Sequence, residues 1–194
     1  MKLAQDRRSE QGAWLFLVSL TVFFLSCVLL YAIYIISRVA STESVVTPFY
    51  VPRSFVLTTV ILISISVCLH LSVGAVKRER RADLWRYVVI AGLLCIAFFI
   101  VQAGGMVWMI QELESSLTEN RSLYGFTFVL VLIHALHVVG GAAGLTFIMF
   151  GLSRGAYDHE RHWPIRFCAL YWHFLDIVWV LMMISFAFAA IVSK

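Results

Sequence analysis

Five apolar runs, each longer than the roughly 18 residues a helix needs to cross a bilayer, leave this chain few ways to fold. They cover residues 14–36, 55–76, 87–109, 126–150 and 167–192. In hydrocarbon every backbone N–H and C=O must be satisfied within its own segment, so each run predicts a transmembrane helix. The connections between them are too short for a soluble domain. The expected fold is therefore all-α: a polytopic membrane protein with a bundle of five transmembrane helices. Residues 1–12 form a polar arm, and 13–194 form one transmembrane domain. The first run is too long for a cleavable signal, and no small-residue cleavage site follows it.

Charge sets the expected orientation. Of the 15 basic residues, eleven fall on the N-terminus, the second connection and the fourth. The positive-inside rule then puts the N-terminus in the cytoplasm and the C-terminus in the periplasm, as in a bacterial cytoplasmic (inner) membrane. The sequence pI of about 9.0 is this bias, and no basic-aromatic interleaving suggests a nucleic-acid partner. Only 13% of residues are charged, about half the share of a soluble domain. Cys27, Cys68, Cys95 and Cys168 lie in or beside the spans without close spacing. They read as small apolar side chains, and no metal ligand set is expected.

Polar residues inside the spans carry the functional information. The run Leu170-Tyr171-Trp172-His173-Phe174-Leu175-Asp176-Ile177-Val178-Trp179 places a carboxylate near mid-membrane. Asp176 is about 15 Å from its helix start, at about 1.5 Å per residue. An acid at that depth costs about 2.5–3.5 kcal/mol on insertion scales, so it must face protein and have a partner. Trp172, Asp176 and Trp179 share a helical face, flanked by His173. In span 4, His134, His137, Gly141 and Gly144 form one stripe, and Gly140 with Gly144 fits the small-xxx-small spacing of tight helix contacts. In span 3, Gln102, Gly105 and Met109 share a face. The economical packing sets the span 5 face against His134 and His137, with Gln102 completing the polar set. His159, His162 and Arg166, in and beside the last connection, read as headgroup or subunit contacts.

Membrane histidines also admit a free-standing b-heme electron carrier, in which His70 would pair with His134 or His137 across the macrocycle. A proton relay through Asp176 is physically possible too. Side-chain glue that fixes helix register explains the same residues without chemistry.

The segments Leu123-Tyr124-Gly125-Phe126-Thr127-Phe128, His134-Ala135-Leu136-His137-Val138-Val139-Gly140-Gly141 and Tyr171-Trp172-His173-Phe174-Leu175-Asp176-Ile177-Val178-Trp179 resemble the last two helices of cytochrome c oxidase subunit III. Gln102 fits that family's glutamine before the external connection, and the five-span layout fits its short bacterial form. The resemblance implies a non-catalytic subunit without heme or copper of its own. It implies packing against the heme- and copper-bearing catalytic subunit I and other oxidase subunits, with phospholipids bound between helix groups. Related accessory proteins serve quinol oxidases and nitric oxide reductase. Two departures stand out: Leu20 and Gly105 occupy positions where the family carries glutamates.

Overall fold

The computed structural model describes residues 2–40, 49–115, 118–155 and 162–192. These form five helices: α1 (Lys2–Ala40), α2 (Ser54–Lys77), α3 (Arg81–Ser115), α4 (Thr118–Ser153) and α5 (Trp163–Val192). All five are long and apolar enough to cross a membrane. Several helices run past the apolar spans. The polar arm continues α1 as helix, and α3 begins at Arg81, inside the basic connection. Apolar length measures the hydrocarbon thickness, whereas backbone hydrogen bonding continues into the polar interface.

Helices α2, α3, α4 and α5 form a ring in which each packs against the next, and α5 closes on α2. Helix α1 lies outside this ring, against α5, and its aromatic side chains also reach α4. Tyr31 stacks edge-on to Phe186 of α5, and Tyr34 stacks on Phe126 of α4. Large apolar residues such as Leu15, Ile100, Phe147, Ile177 and Ile191 remain exposed on the outer faces. In lipid such exposure costs nothing, and burial between helices gains little from the hydrophobic effect. Close packing and interhelical hydrogen bonds must hold the ring together instead.

Exposed hydroxyls are neutralised locally. Thr21 donates to Leu17 O at 2.8 Å, Ser26 to Val22 O at 2.8 Å and Thr146 to Ala142 O at 2.8 Å. The α1–α2 connection is anchored where it is described. Phe49 is buried against Tyr124, and the Tyr50 N–H donates to the Tyr124 hydroxyl at 3.2 Å.

Candidate functional site

Gln102, His134, Trp172 and Trp179 are buried in the bundle, and His137, Tyr171, His173 and Asp176 lie on the seams between helices. On the α4–α5 seam, Trp172 lies flat against Gly141. A Cβ at Gly141 would sit 3.1 Å from Trp172 Cε2, so only glycine lets the indole approach this closely. The neighbouring Tyr171 hydroxyl donates to the His137 carbonyl at 2.9 Å. Two turns from the Trp172–Gly141 contact, His134 packs against Trp179 with ring centroids 4.9 Å apart. Gly140 and Gly141 thus make the close contact. Gly144 does not, because no atom outside its own helix lies within 4 Å of its Cβ position. The expected Gly140–Gly144 pair is corrected to an adjacent pair, since the bulk of Tyr171 and Trp172 falls on one turn.

On the α2–α5 seam, the Trp179 indole N–H donates to Thr59 Oγ1 at 2.9 Å. Thr59 in turn donates to Phe55 O at 2.7 Å. A second junction of the same form joins α1 to α4. Thr127 commits its hydroxyl hydrogen to Leu123 O at 2.9 Å, so at the 2.9 Å contact Tyr31 donates to Thr127 Oγ1.

Asp176 does not meet the histidines of α4, as had been expected. Its carboxyl turns toward Ser66 of α2. The approach stops short of a hydrogen bond, leaving Ser66 Oγ and Asp176 Oδ1 both buried without one. On the same seam His173 faces His70, with ring centroids 5.8 Å apart. The reason is helical geometry: His173 and Asp176 are three residues apart, so they point together at α2, while Trp172 points at α4. His134 and His137 pack instead on the edge of Phe24 from α1, at 6.3 and 4.8 Å. The His137 Nδ1–H donates to its own Ile133 O at 2.8 Å. His70 is therefore turned to a different neighbour from His134 and His137, and the arrangement a bis-histidine heme would need between them is not formed.

Gln102 is buried on α3, and neither of its amide atoms is hydrogen-bonded. The same holds for both ring nitrogens of His134 and for Trp172 Nε1. Gly105, on the Gln102 face, is pressed against the start of α2. A Cβ there would lie 2.7 Å from Ser54 Oγ and 2.8 Å from Phe55 Cε1. Leu20, the other position of interest, is half-buried against the core.

Near the last connection, Arg166 sits over the Trp163 ring at 5.6 Å, and His162 is half-buried. His159 lies outside the described residues. No cluster of three or more potential metal-ligating side chains occurs among the described residues. Sequence reasoning missed Tyr31, Thr59, Thr127 and Ser66. Their signal was available, since any hydroxyl inside a span has to be satisfied, but it does not distinguish a residue that serves its own helix from one that also joins two.

Comparison with known proteins fits this arrangement. A family model described as cytochrome c oxidase subunit III matches residues 5–190. The chain is 30% identical over 139 residues to cytochrome c oxidase subunit 3 of Spodoptera frugiperda, covering 71% of this chain and 88% of that protein. It is 30% identical over 178 residues to the protein of that name from Synechocystis sp., covering 89% and 72%. For the Corynebacterium diphtheriae protein of the same name the figures are 30% over 139 residues, 71% and 66%. The chain spans about half the length of several other curated relatives it matches.

Proposed function

This chain belongs to the cytochrome c oxidase subunit III family, and we propose that it is an accessory, non-catalytic subunit of a bacterial heme–copper terminal oxidase. In this reading it packs against the catalytic subunit I, which carries the heme and copper, and against other oxidase subunits. Its place is the cytoplasmic membrane, with the N-terminus inside and the C-terminus in the periplasm. The observation that carries the reading is the use to which the motif residues are put. Trp172 fills the Gly141 notch, Tyr171 ties α5 to α4, and Trp179 ties α5 to α2. These side chains join helices.

Lipid belongs to the same proposal. An apolar groove of about 340 Å³ opens between α1, α4 and α5, with Phe16, Gly144, Phe147, Pro164, Phe167 and Tyr171 on its walls. The absence of a side chain at Gly144 keeps it open, and an acyl chain suits its shape and chemistry.

A tagged copy of the full chain should co-purify with a heme–copper catalytic subunit, whose identity by mass spectrometry separates cytochrome c oxidase from quinol oxidase and nitric oxide reductase. A chain that purifies alone with a reduced b-type heme spectrum would sink the accessory reading.

Asp176 is expected to act on assembly. Asp176→Leu puts a larger apolar side chain beside Ser66 on the α2–α5 seam, and misfitting a packed contact of this kind costs about 1–3 kcal/mol. The yield of assembled complex should fall while turnover per assembled heme stays near wild type. Asp176→Asn, which keeps the size and polarity of the side chain beside Ser66, should recover most of the yield. Normal yield with selectively slowed proton uptake would contradict this.

A further inference from the structure

At the end of the bundle where α2 turns into α3, the two helices form an open cleft of about 370 Å³. Its polar wall carries His70, Lys77, Arg78, Arg80, Asp83 and Tyr87. The turn that presents these groups is well defined. Arg80 N–H donates to Ala75 O at 3.0 Å and Glu79 N–H to Val76 O at 3.2 Å, the paired bonds of a Schellman stop. Glu79 takes the left-handed position with φ 56°, a conformation glycine usually fills. The last carbonyls of α2 are thus satisfied by the backbone, and Lys77, Arg78 and Arg80 are not needed to cap them.

The polar lining of this cavity is mostly basic. Three cations line it against one carboxylate, and Asp83 already faces Arg86 at 3.7 Å. Exposed cations gathered on one wall at the membrane interface attract an anion placed among them. The cavity is also two-sided. Leu71, Val73 and the open flank of Gly74 continue it toward the hydrocarbon, and nothing lies within 4 Å of the Gly74 Cβ position. A ligand that fits has an anionic head at the interface and an apolar tail along α2.

We propose that this cavity holds the phosphodiester headgroup of an anionic glycerophospholipid on Lys77, Arg78 and Arg80, with an acyl chain running past Leu71 and Gly74. The site lies at the α2–α3 turn, away from the α1–α4–α5 groove. It rests on the chain being in a membrane and stands whether or not the partner is an oxidase. Basic residues that only set topology would act alike along the whole connection. Arg81 belongs to the same charge run but does not line the cavity, so it provides the control.

The test is phosphatidylglycerol binding to the purified complex containing the full chain, read by native mass spectrometry in detergent. The double variant Lys77→Gln/Arg80→Gln should bind on the order of 30-fold more weakly, from about 1 kcal/mol per basic residue at 1.4 kcal/mol per tenfold. Arg81→Gln should stay close to wild type. Equal loss in both variants, no loss in the double variant, or equal binding of phosphatidylcholine would each overturn the proposal. Displacement of phosphatidylglycerol by millimolar inorganic phosphate would reduce the site to a free-anion site and overturn the lipid assignment. If the double variant does not accumulate, the wild-type complex decides. Lys77 should label more slowly with an amine-reactive reagent in phosphatidylglycerol nanodiscs than in phosphatidylcholine nanodiscs, and equal labelling would sink the idea.

Discussion

Gly105→Glu is expected to abolish accumulation of the folded chain. The first atom of any side chain at this position would meet Ser54 Oγ at 2.7 Å and Phe55 Cε1 at 2.8 Å. The Ser54 hydroxyl can rotate away, but Phe55 cannot easily retreat. Phe55 is fully buried and its ring stacks edge-on against Trp179, centroids 5.4 Å apart. Opening the α2–α3 contact would therefore disturb the α2–α5 contact as well. Glutamate adds a carboxylate to that overpacking, and a charge forced into an apolar contact is costly in its own right. Gly105→Ala should already cost about 1–3 kcal/mol, the usual range for overpacking a tight core. The neighbouring Gly104 is the control, since a Cβ there meets nothing within 4 Å. Size-exclusion profiles and thermal unfolding in detergent will separate the three variants. A Gly105→Glu chain as abundant and stable as Gly104→Ala would show that the close approach is not a structural requirement. With Phe55 seated against α3, position 105 has no room for a side chain.

Trp179→Ala is the second large loss. The indole is fully buried between Phe55 and His134 and donates to Thr59. Truncating a buried tryptophan costs about 3–5 kcal/mol when the surroundings cannot collapse. Collapse is restricted here because Trp179 joins α2 and α4 through α5 at a single level of the ring. Trp179→Phe should retain most of the packing and lose the hydrogen bond, for a cost of about 1 kcal/mol. Ile177→Ala, two residues away on the outer face, should stay within about 0.5 kcal/mol of wild type. Denaturant titration of the detergent-solubilised chain measures all three. Similar losses for Trp179→Ala and Ile177→Ala would mean that the interior seam carries no special share of the stability.

The number and type of elements were readable because the bilayer imposes one strong rule, an apolar length, on each spanning segment. Helix ends were less readable, since Arg81 to Arg86 is polar and still helical. The partner of Asp176 was misread for a different reason. Helix α5 touches α1, α2 and α4, so its sequence has no single inward face. Residues 172 and 176 share a stripe, yet the indole turns to α4 and the carboxyl to α2. Periodicity groups residues by angle but cannot say which neighbour lies at each angle. Small-residue spacing has the same weakness. It identified the glycine-rich turn of α4, while the choice between Gly141 and Gly144 depended on where Trp172 arrived from the other helix.

The two threonine junctions limit how this bundle can move. In each, the threonine gives its hydrogen to its own helix and offers an oxygen to an aromatic donor on another, Trp179 to Thr59 and Tyr31 to Thr127. One joins α5 to α2 inside the ring; the other joins the outlying α1 to the ring. Sliding either pair of helices by one residue, about 1.5 Å, would break its bond. Rigid-body rocking of α1 as a gate would have to sacrifice the Tyr31 contact at every stroke. The chain is therefore suited to act as a fixed brace, which transmits a neighbour's motion as a whole body and does not absorb it between its own helices.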